Sequence, residues 1–365
     1  MTSRERFWKA VHLEEPDRVP VSPYMVYFAA KLAGMKPAEF GWSVGKTHKA
    51  LFRTYEYFNK EIDALHIMCM RFAYTGVFPS AYSALYFDWE FPTNNLPQFV
   101  QKEEKYGADL YDQILEQGFT YLIPPSRIHM NEIEETYSKE TLIHRKWMKT
   151  WEKEDIVNLA GPMTTIPADL LIYARGTEGF LDLVTYPEKM KAVNDAMTPG
   201  MIAVNKFLAK RANINIQRVS VQNFTADMVS PKTFEELCWP WMKKMIEEFL
   251  TEDCTIILHL DGNWKPLYLF FQDLPPKRII MELEYTDMKE AKRILGNTLC
   301  LKGNVSCSDL AFGTVSQVED LCKQLIDDCA SGGGFILSSG CEAPVNSKPQ
   351  NIEAMINTAI TYGKY

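Results

Sequence analysis

The sequence predicts an α/β fold in which short parallel strands close into a barrel. Two observations carry this expectation. Short apolar segments rich in β-favouring residues alternate with amphipathic stretches long enough for crossover helices, and eight such segments recur along 365 residues. Several of them also end in polar or nucleophilic side chains, which is how a parallel barrel builds a site at its C-terminal rim.

The segments in chain order are Val19–Pro23, Asp63–Ile67, Ile156–Gly161, Arg218–Asn223, Thr255–Asp261, Arg278–Glu284, Thr298–Gly303 and Gly334–Cys341. A helical segment is expected ahead of the first. Between the fourth and fifth, Pro231–Leu250 reads as a crossover helix despite Pro240. Between the seventh and eighth, Val315–Cys329 places Val318, Leu321, Leu325 and Cys329 on one face. Ser316, three residues before Glu319, is a candidate capping box for that helix. The rhythm breaks over residues 86–153, which hold Phe91-Pro92-Thr93-Asn94-Asn95, the charged run Lys102–Lys105, and β-like stretches at Tyr121-Leu122-Ile123 and Thr141–His144. This stretch is expected to be an insertion, a helix with a hairpin, lying over one end of a single domain that spans 1–365. No repeat or Gly/Ser linker divides the chain.

Composition narrows the function classes. Lys+Arg 39 against Asp+Glu 47 gives a net charge of -8, which offers nucleic acid or an anionic membrane no general attraction. The apolar runs Ile256–Leu260 and Leu267–Phe271 are far too short to span a bilayer. The first residues, Met1 to Arg6, have no apolar signal region behind their charges, so a cytoplasmic location is expected. Eight cysteines (Cys69, Cys238, Cys254, Cys300, Cys307, Cys322, Cys329 and Cys341) contain no CxxC pair and are expected to be reduced, most of them as small buried hydrophobes.

The chemistry concentrates at the strand ends. In Thr255–Trp264 the residues Ile257, His259 and Asp261 share one face, and the two polar ones lie at the C-terminal end before Gly262. Glu282 and Glu284 end the next strand with the same parity. Cys307 follows Lys302-Gly303-Asn304-Val305, and Cys341 ends Phe335–Cys341. Neighbouring strands thus deliver imidazole, carboxylate and thiolate to one rim, the donor types that zinc accepts. Each residue also has a plainer reading: His259 as a rim hydrogen-bonder, Glu282 and Glu284 as solvated or lysine-paired acids, Cys307 as a small buried residue.

At these residues the chain resembles the uroporphyrinogen decarboxylase superfamily, and within it the corrinoid-dependent methyltransferases. The resemblance runs through Arg4–Pro23 (RERFWKAVHLEEPDRVPVSP), Gly161-Pro162, Leu181–Met190 with Tyr186-Pro187-Glu188, Ser230-Pro231, His259–Asn263, Leu301–Val305 (LKGNV), Gly333–Cys341 and Pro349–Tyr362. It implies a (β/α)8 TIM barrel. A decarboxylase pocket of this superfamily needs arginines near the first strand, whereas Val19–Ala30 offers Tyr24, Tyr27 and Phe28. The methyltransferases carry zinc on His-x-Cys and a later Cys. His259 and Cys341 match those positions, and Asp261 replaces the middle cysteine. An oxygen donor leaves zinc harder and better matched to a substrate oxygen than to a thiol.

The resemblance therefore implies a methyltransferase that takes a methyl group from an O-methylated, aromatic donor and passes it to the cob(I)amide of a separate corrinoid protein. Its cofactors would be zinc and the partner's cobalamin. His259, Asp261, Cys341 and Cys307 are the candidate metal ligands, and His259, Asp261 and Glu282 the candidate catalytic residues. Tyr24, Tyr27, Phe28 and Met163 are candidates to hold a flat ring, and each of the three aromatics, taken singly, reads more readily as core. The alternatives are methyl transfer from a methylcobamide to a thiol or tetrahydrofolate, and a non-catalytic barrel that binds a corrinoid or tetrapyrrole. A homodimer is compatible with all three.

Overall fold

The computed structural model describes residues 1–68, 106–118 and 130–365. Its strands are β1 (Ala64–Leu65), β2 (Val157–Asn158), β3 (Met163–Thr164), β4 (Ile216–Val221), β5 (Thr255–Leu260), β6 (Ile279–Leu283), β7 (Cys300–Val305) and β8 (Phe335–Ser339). All pairings between these strands are parallel. β1 pairs with β2, and β3 to β8 follow one another in sequence order. The two sheets share one wall, because β2 and β3 are joined by four residues. Leu159 N–H donates to Leu65 on one side of that wall, and Arg218 N–H to Pro162 on the other. The remaining gap is closed by the segment around Val21, which forms a parallel bridge with Leu337 and accepts the Asp63 N–H. The ring is thus complete: the fold is a TIM barrel.

Each expected strand is present, with its ends shifted by a few residues. The first is reduced to the Val21 bridge, because Pro20 and Pro23 cannot donate to a ladder. The alternation along β4 to β8 sorts side chains by face. Val219, Val221, Ile256, Leu258, Ile279, Met281, Leu301 and Leu337 point out into the layer shared with the helices. The inward positions at the N-terminal end, Ile216, Ile257, Ile280, Cys300 and Ile336, form a second apolar cluster. The helix Ser3–Val11 contributes Phe7, Ala10 and Val11 to that cluster, so it plugs the barrel floor. The expected N-terminal helical segment has this job.

Three local expectations are corrected. Pro231–Leu250 is two helices, Pro231–Leu237 and Trp239–Leu250, because Pro240 pushes the preceding backbone out of a continuous helix at Cys238. Helix Val315–Cys329 is capped by Thr314 rather than Ser316. Thr314 is in extended backbone, its hydroxyl accepts from Gln317 N–H at 3.2 Å, and Gln317 returns the bond to Thr314 N–H at 2.8 Å. Thr141–His144 is not extended but lies within helix Met130–Lys153. The β-branched local sequence is overridden by His144, Trp147, Met148 and Trp151, which recur at helical spacing, the last three packing on the core. Tyr121-Leu122-Ile123, Phe91–Asn95 and Lys102–Lys105 lie outside the described residues. The described cysteines Cys238, Cys254, Cys300, Cys307, Cys322, Cys329 and Cys341 are all free thiols. No described helix is long and apolar enough to cross a membrane.

Candidate metal centre in the barrel mouth

Midway along the lumen the inward positions change from apolar to ionic. Arg218 (β4), His259 (β5), Glu282 (β6), Lys302 (β7) and Ser338 (β8) all point inward, and His66 joins them just past β1. Glu282 is the hub. Its Oε2 accepts from Arg218 at 3.0 Å and from His259 Nδ1 at 2.9 Å. Its Oε1 accepts from His66 Nε2 at 2.9 Å and lies 3.1 Å from Lys302 Nζ. Burial favours the neutral acid, but the Arg218 guanidinium and Lys302 ammonium outweigh it and hold the carboxyl well below the usual range. An ionised carboxylate only accepts, so the histidine nitrogens facing it carry protons. Burial lowers His66 to about 3, leaving it neutral.

That bond fixes the tautomer that matters. Burial lowers the pKa of His259, but Asp261 and Glu282 outweigh it and raise the value. In the neutral ring, with Nδ1–H given to Glu282, the Nε2 lone pair faces the mouth of the barrel, as in histidines that ligate metals with a carboxylate behind them. Asp261 Oδ1 lies 3.3 Å from His259 Nε2, and Cys341 Sγ lies 3.8 Å from it. One donor atom from each of His259, Asp261 and Cys341 falls within 4.8 Å of the other two. Among the described residues these three are the group with metal-ligand geometry. Asp261 Oδ1 is buried and has no hydrogen-bond partner, which is costly for a carboxylate oxygen unless a cation sits beside it. The nitrogen, oxygen and sulfur donors, the orphaned oxygen and the supported imidazole all fit a divalent ion such as zinc.

The turn after β5 makes this possible. Gly262 has φ +82°, and a Cβ there would meet Thr225 Oγ1 at 2.7 Å. Its N–H donates to Glu284 Oε2 at 2.9 Å, so the carboxylate just past β6 holds the turn. Cys341 leaves β8 one residue after Gly340, whose ideal Cβ position lies 3.0 Å from the Glu284 carbonyl oxygen.

The other expected site residues are distributed as follows. Cys307 begins helix Cys307–Phe312 and sits outside the triad, its thiol pointing to the Glu342 carbonyl at 3.6 Å. Tyr24 covers the ionic layer. Its ring stacks on His66 with centroids 4.0 Å apart and meets His259 edge-on at 5.9 Å. Tyr27 is half-buried, and its backbone N–H donates to Glu342 Oε1 at 2.6 Å. Phe28 lies in the core, stacked on Phe58 at 6.5 Å, rather than beside the triad. Met163 is half-buried on β3, paired in register with Arg218. His66, Arg218 and Lys302 were not among the expected site residues. What the sequence offers for them is parity: Arg218 and Lys302 share the inward face of their strands with Ile216 and Cys300.

The family model for uroporphyrinogen decarboxylase (URO-D) matches residues 123–362, more than half of the chain. Uroporphyrinogen decarboxylase of Hordeum vulgare is 26% identical over 159 residues, covering 42% of this chain and 46% of the relative. Uroporphyrinogen decarboxylase of Trichodesmium erythraeum is 25% identical over 171 residues, covering 43% of this chain and 47% of the relative. The chain thus spans less than half the length of the curated relatives it matches. A methyltransferase from Methanosarcina mazei superposes with a TM-score of 0.68 at 15% identity, covering 99% of both chains, which shows that the fold is shared. Fold and family agree: the chain belongs to the uroporphyrinogen decarboxylase (URO-D) family.

Proposed function

We propose that this chain is a zinc-dependent methyltransferase. In this reading it moves a methyl group from an O-methylated, aromatic donor to the cob(I)amide of a separate corrinoid protein. The observation that carries the reading is the triad His259, Asp261 and Cys341, with donor atoms within 4.8 Å of one another at the C-terminal rim. Three protein ligands leave a coordination position for a substrate atom, and the aspartate makes that position better suited to oxygen than to sulfur. Zinc bound there supplies a Lewis acid for the ether oxygen.

The chain's own residues do the rest. Glu282 keeps the His259 Nδ1 proton in place and so keeps Nε2 available. Tyr24, flat over His66, presents an aromatic surface beside the triad against which a planar donor can pack. The departing oxygen is that of a phenol (pKa about 10) rather than an alkanol (close to water, about 15.7), so the stabilisation asked of the centre is modest. Residues 1–365 act in this reading as one cytoplasmic domain, with 86–153 inserted over one end.

The test is metal analysis joined to anaerobic product analysis. Protein as isolated should hold about one zinc per chain. His259→Ala and Cys341→Ala should lose both the metal and the demethylation of a methoxyarene panel supplied with a corrinoid protein in the Co(I) state. Metal-free protein with full activity would end the proposal. Carbon dioxide release from a porphyrinogen, with no methyl transfer, would replace it with decarboxylation.

A further inference from the structure

We infer that Gln222 is a positioning residue that fixes which oxygen of Asp261 faces the metal; the inference rests on the metal-centre reading above. Gln222 follows β4, on the strand next to the one that carries His259 and Asp261. Its Nε2 donates to Asp261 Oδ2 at 2.7 Å. That bond occupies one carboxylate oxygen and leaves Oδ1, the orphaned one, beside His259 Nε2.

An amide can point either way, so something must hold its nitrogen toward the aspartate. Helix Pro167–Arg175 does so with two residues four apart, hence on one face. Tyr173 donates its hydroxyl to Gln222 Oε1, which defines the oxygen end and turns the NH2 toward Asp261. Asp169 is fully buried and accepts the backbone N–H of Gln222 at 3.3 Å and of Asn223 at 2.7 Å. Thr165 Oγ1 holds Asp169 in turn at 2.7 Å. The side chain and main chain of Gln222 are therefore gripped by one helix, and the grip ends on the metal-facing carboxylate. A glutamine serving only to fill space would not need both ends of its amide defined.

The experiment measures zinc affinity by competition with a chromophoric chelator, and the visible spectrum of the cobalt(II)-substituted protein. It compares wild type, Gln222→Leu and Tyr173→Phe, with thermal melting of each metal-free protein as the control for folding. Gln222→Leu should weaken zinc binding about 10- to 100-fold, the usual range for lost outer-shell support. It should also shift the cobalt band, because Asp261 is free to turn. Tyr173→Phe should show a smaller loss in the same direction with an unchanged melt, and it decides the matter should the leucine variant fail to fold. Wild-type affinity and an unaltered cobalt spectrum in folded variants would overturn the role of Gln222 alone. A wild-type protein that binds no zinc or cobalt would overturn it together with the metal centre.

Discussion

Glu282 holds a charge inside the barrel because four donors surround it, and the arrangement works in both directions. Arg218 and Lys302, 0% and 2% exposed, depend on that single carboxylate for their buried counter-charge. Glu282→Gln keeps the shape but removes the charge, and removing one partner of a buried ionic group typically costs about 3–5 kcal/mol. Urea titration should show that loss as a lower midpoint with an unchanged slope. A change below about 1 kcal/mol, the value of an exposed pair, would mean that water reaches the layer. The same residues mark where the sequence was legible. His259, Asp261 and Cys341 stood out because each lies at the C-terminal end of a strand segment, where donors from neighbouring strands converge on one rim. Arg218 opens its expected segment and Lys302 lies within another, and a charge so placed gives no sign of its buried partner. Cys307 and Cys341 both follow strands, and only the path of the backbone after each strand separates the one turned to the Glu342 carbonyl from the one at the triad.

Among the elements, strand existence was readable and strand ends were not. Arg218–Asn223 is Ile216–Val221 and Thr298–Gly303 is Cys300–Val305, because pairing with a neighbour, absent from local sequence, decides where a ladder stops. The contact between helices Val44–Tyr57 and Met130–Lys153 was not readable at all, since it joins residues 96 apart. Trp151 Nε1–H donates to His48 Nδ1 at 3.1 Å, so His48 carries its proton on Nε2 and donates it to His144 Nδ1 at 3.0 Å. Burial lowers His48 from 6.5 to about 3, helped by His144, and His144 to about 4, helped by Arg145. Because both folded values lie below the unfolded one, the unfolded chain takes up protons first. The contribution of the pair is complete above pH 6.5 and declines as pH falls towards 4 and then 3. Each histidine adds at most about 1.4 kcal/mol per pH unit to that slope. His144→Gln can still accept from His48 but does not titrate, so its melting temperature should fall less steeply than wild type between pH 6.5 and 4. Parallel curves for the two proteins would show that the pair is solvated.

At the scale of the whole molecule, the barrel is held shut where residues near opposite ends of the chain meet. Val21 bridges Leu337, Arg18 bridges Lys364, and Val19 N–H donates to the Gly363 carbonyl at 2.7 Å. Asp63, fully buried, binds Arg6 at 2.7 Å, Arg18 at 2.9 Å and the Val21 N–H at 2.8 Å, tying the plug helix to this seam. The plug and the triad His259, Asp261 and Cys341 lie at opposite ends of the lumen, with the ionic layer between them. Stability and metal binding should therefore separate. Phe7 is fully buried in the same apolar cluster as Ile216, Ile257, Ile280 and Ile336, and truncating such a side chain costs about 3–5 kcal/mol. Phe7→Ala should thus lower the denaturation midpoint markedly while the folded protein binds zinc with wild-type affinity, because the Glu282 hub fixes His259 without help from the floor. If Phe7→Ala also weakens zinc binding in fully folded protein, the ionic layer does not insulate the two ends. The lumen would then respond as one packed column, and the floor helix would be part of what holds His259 in place.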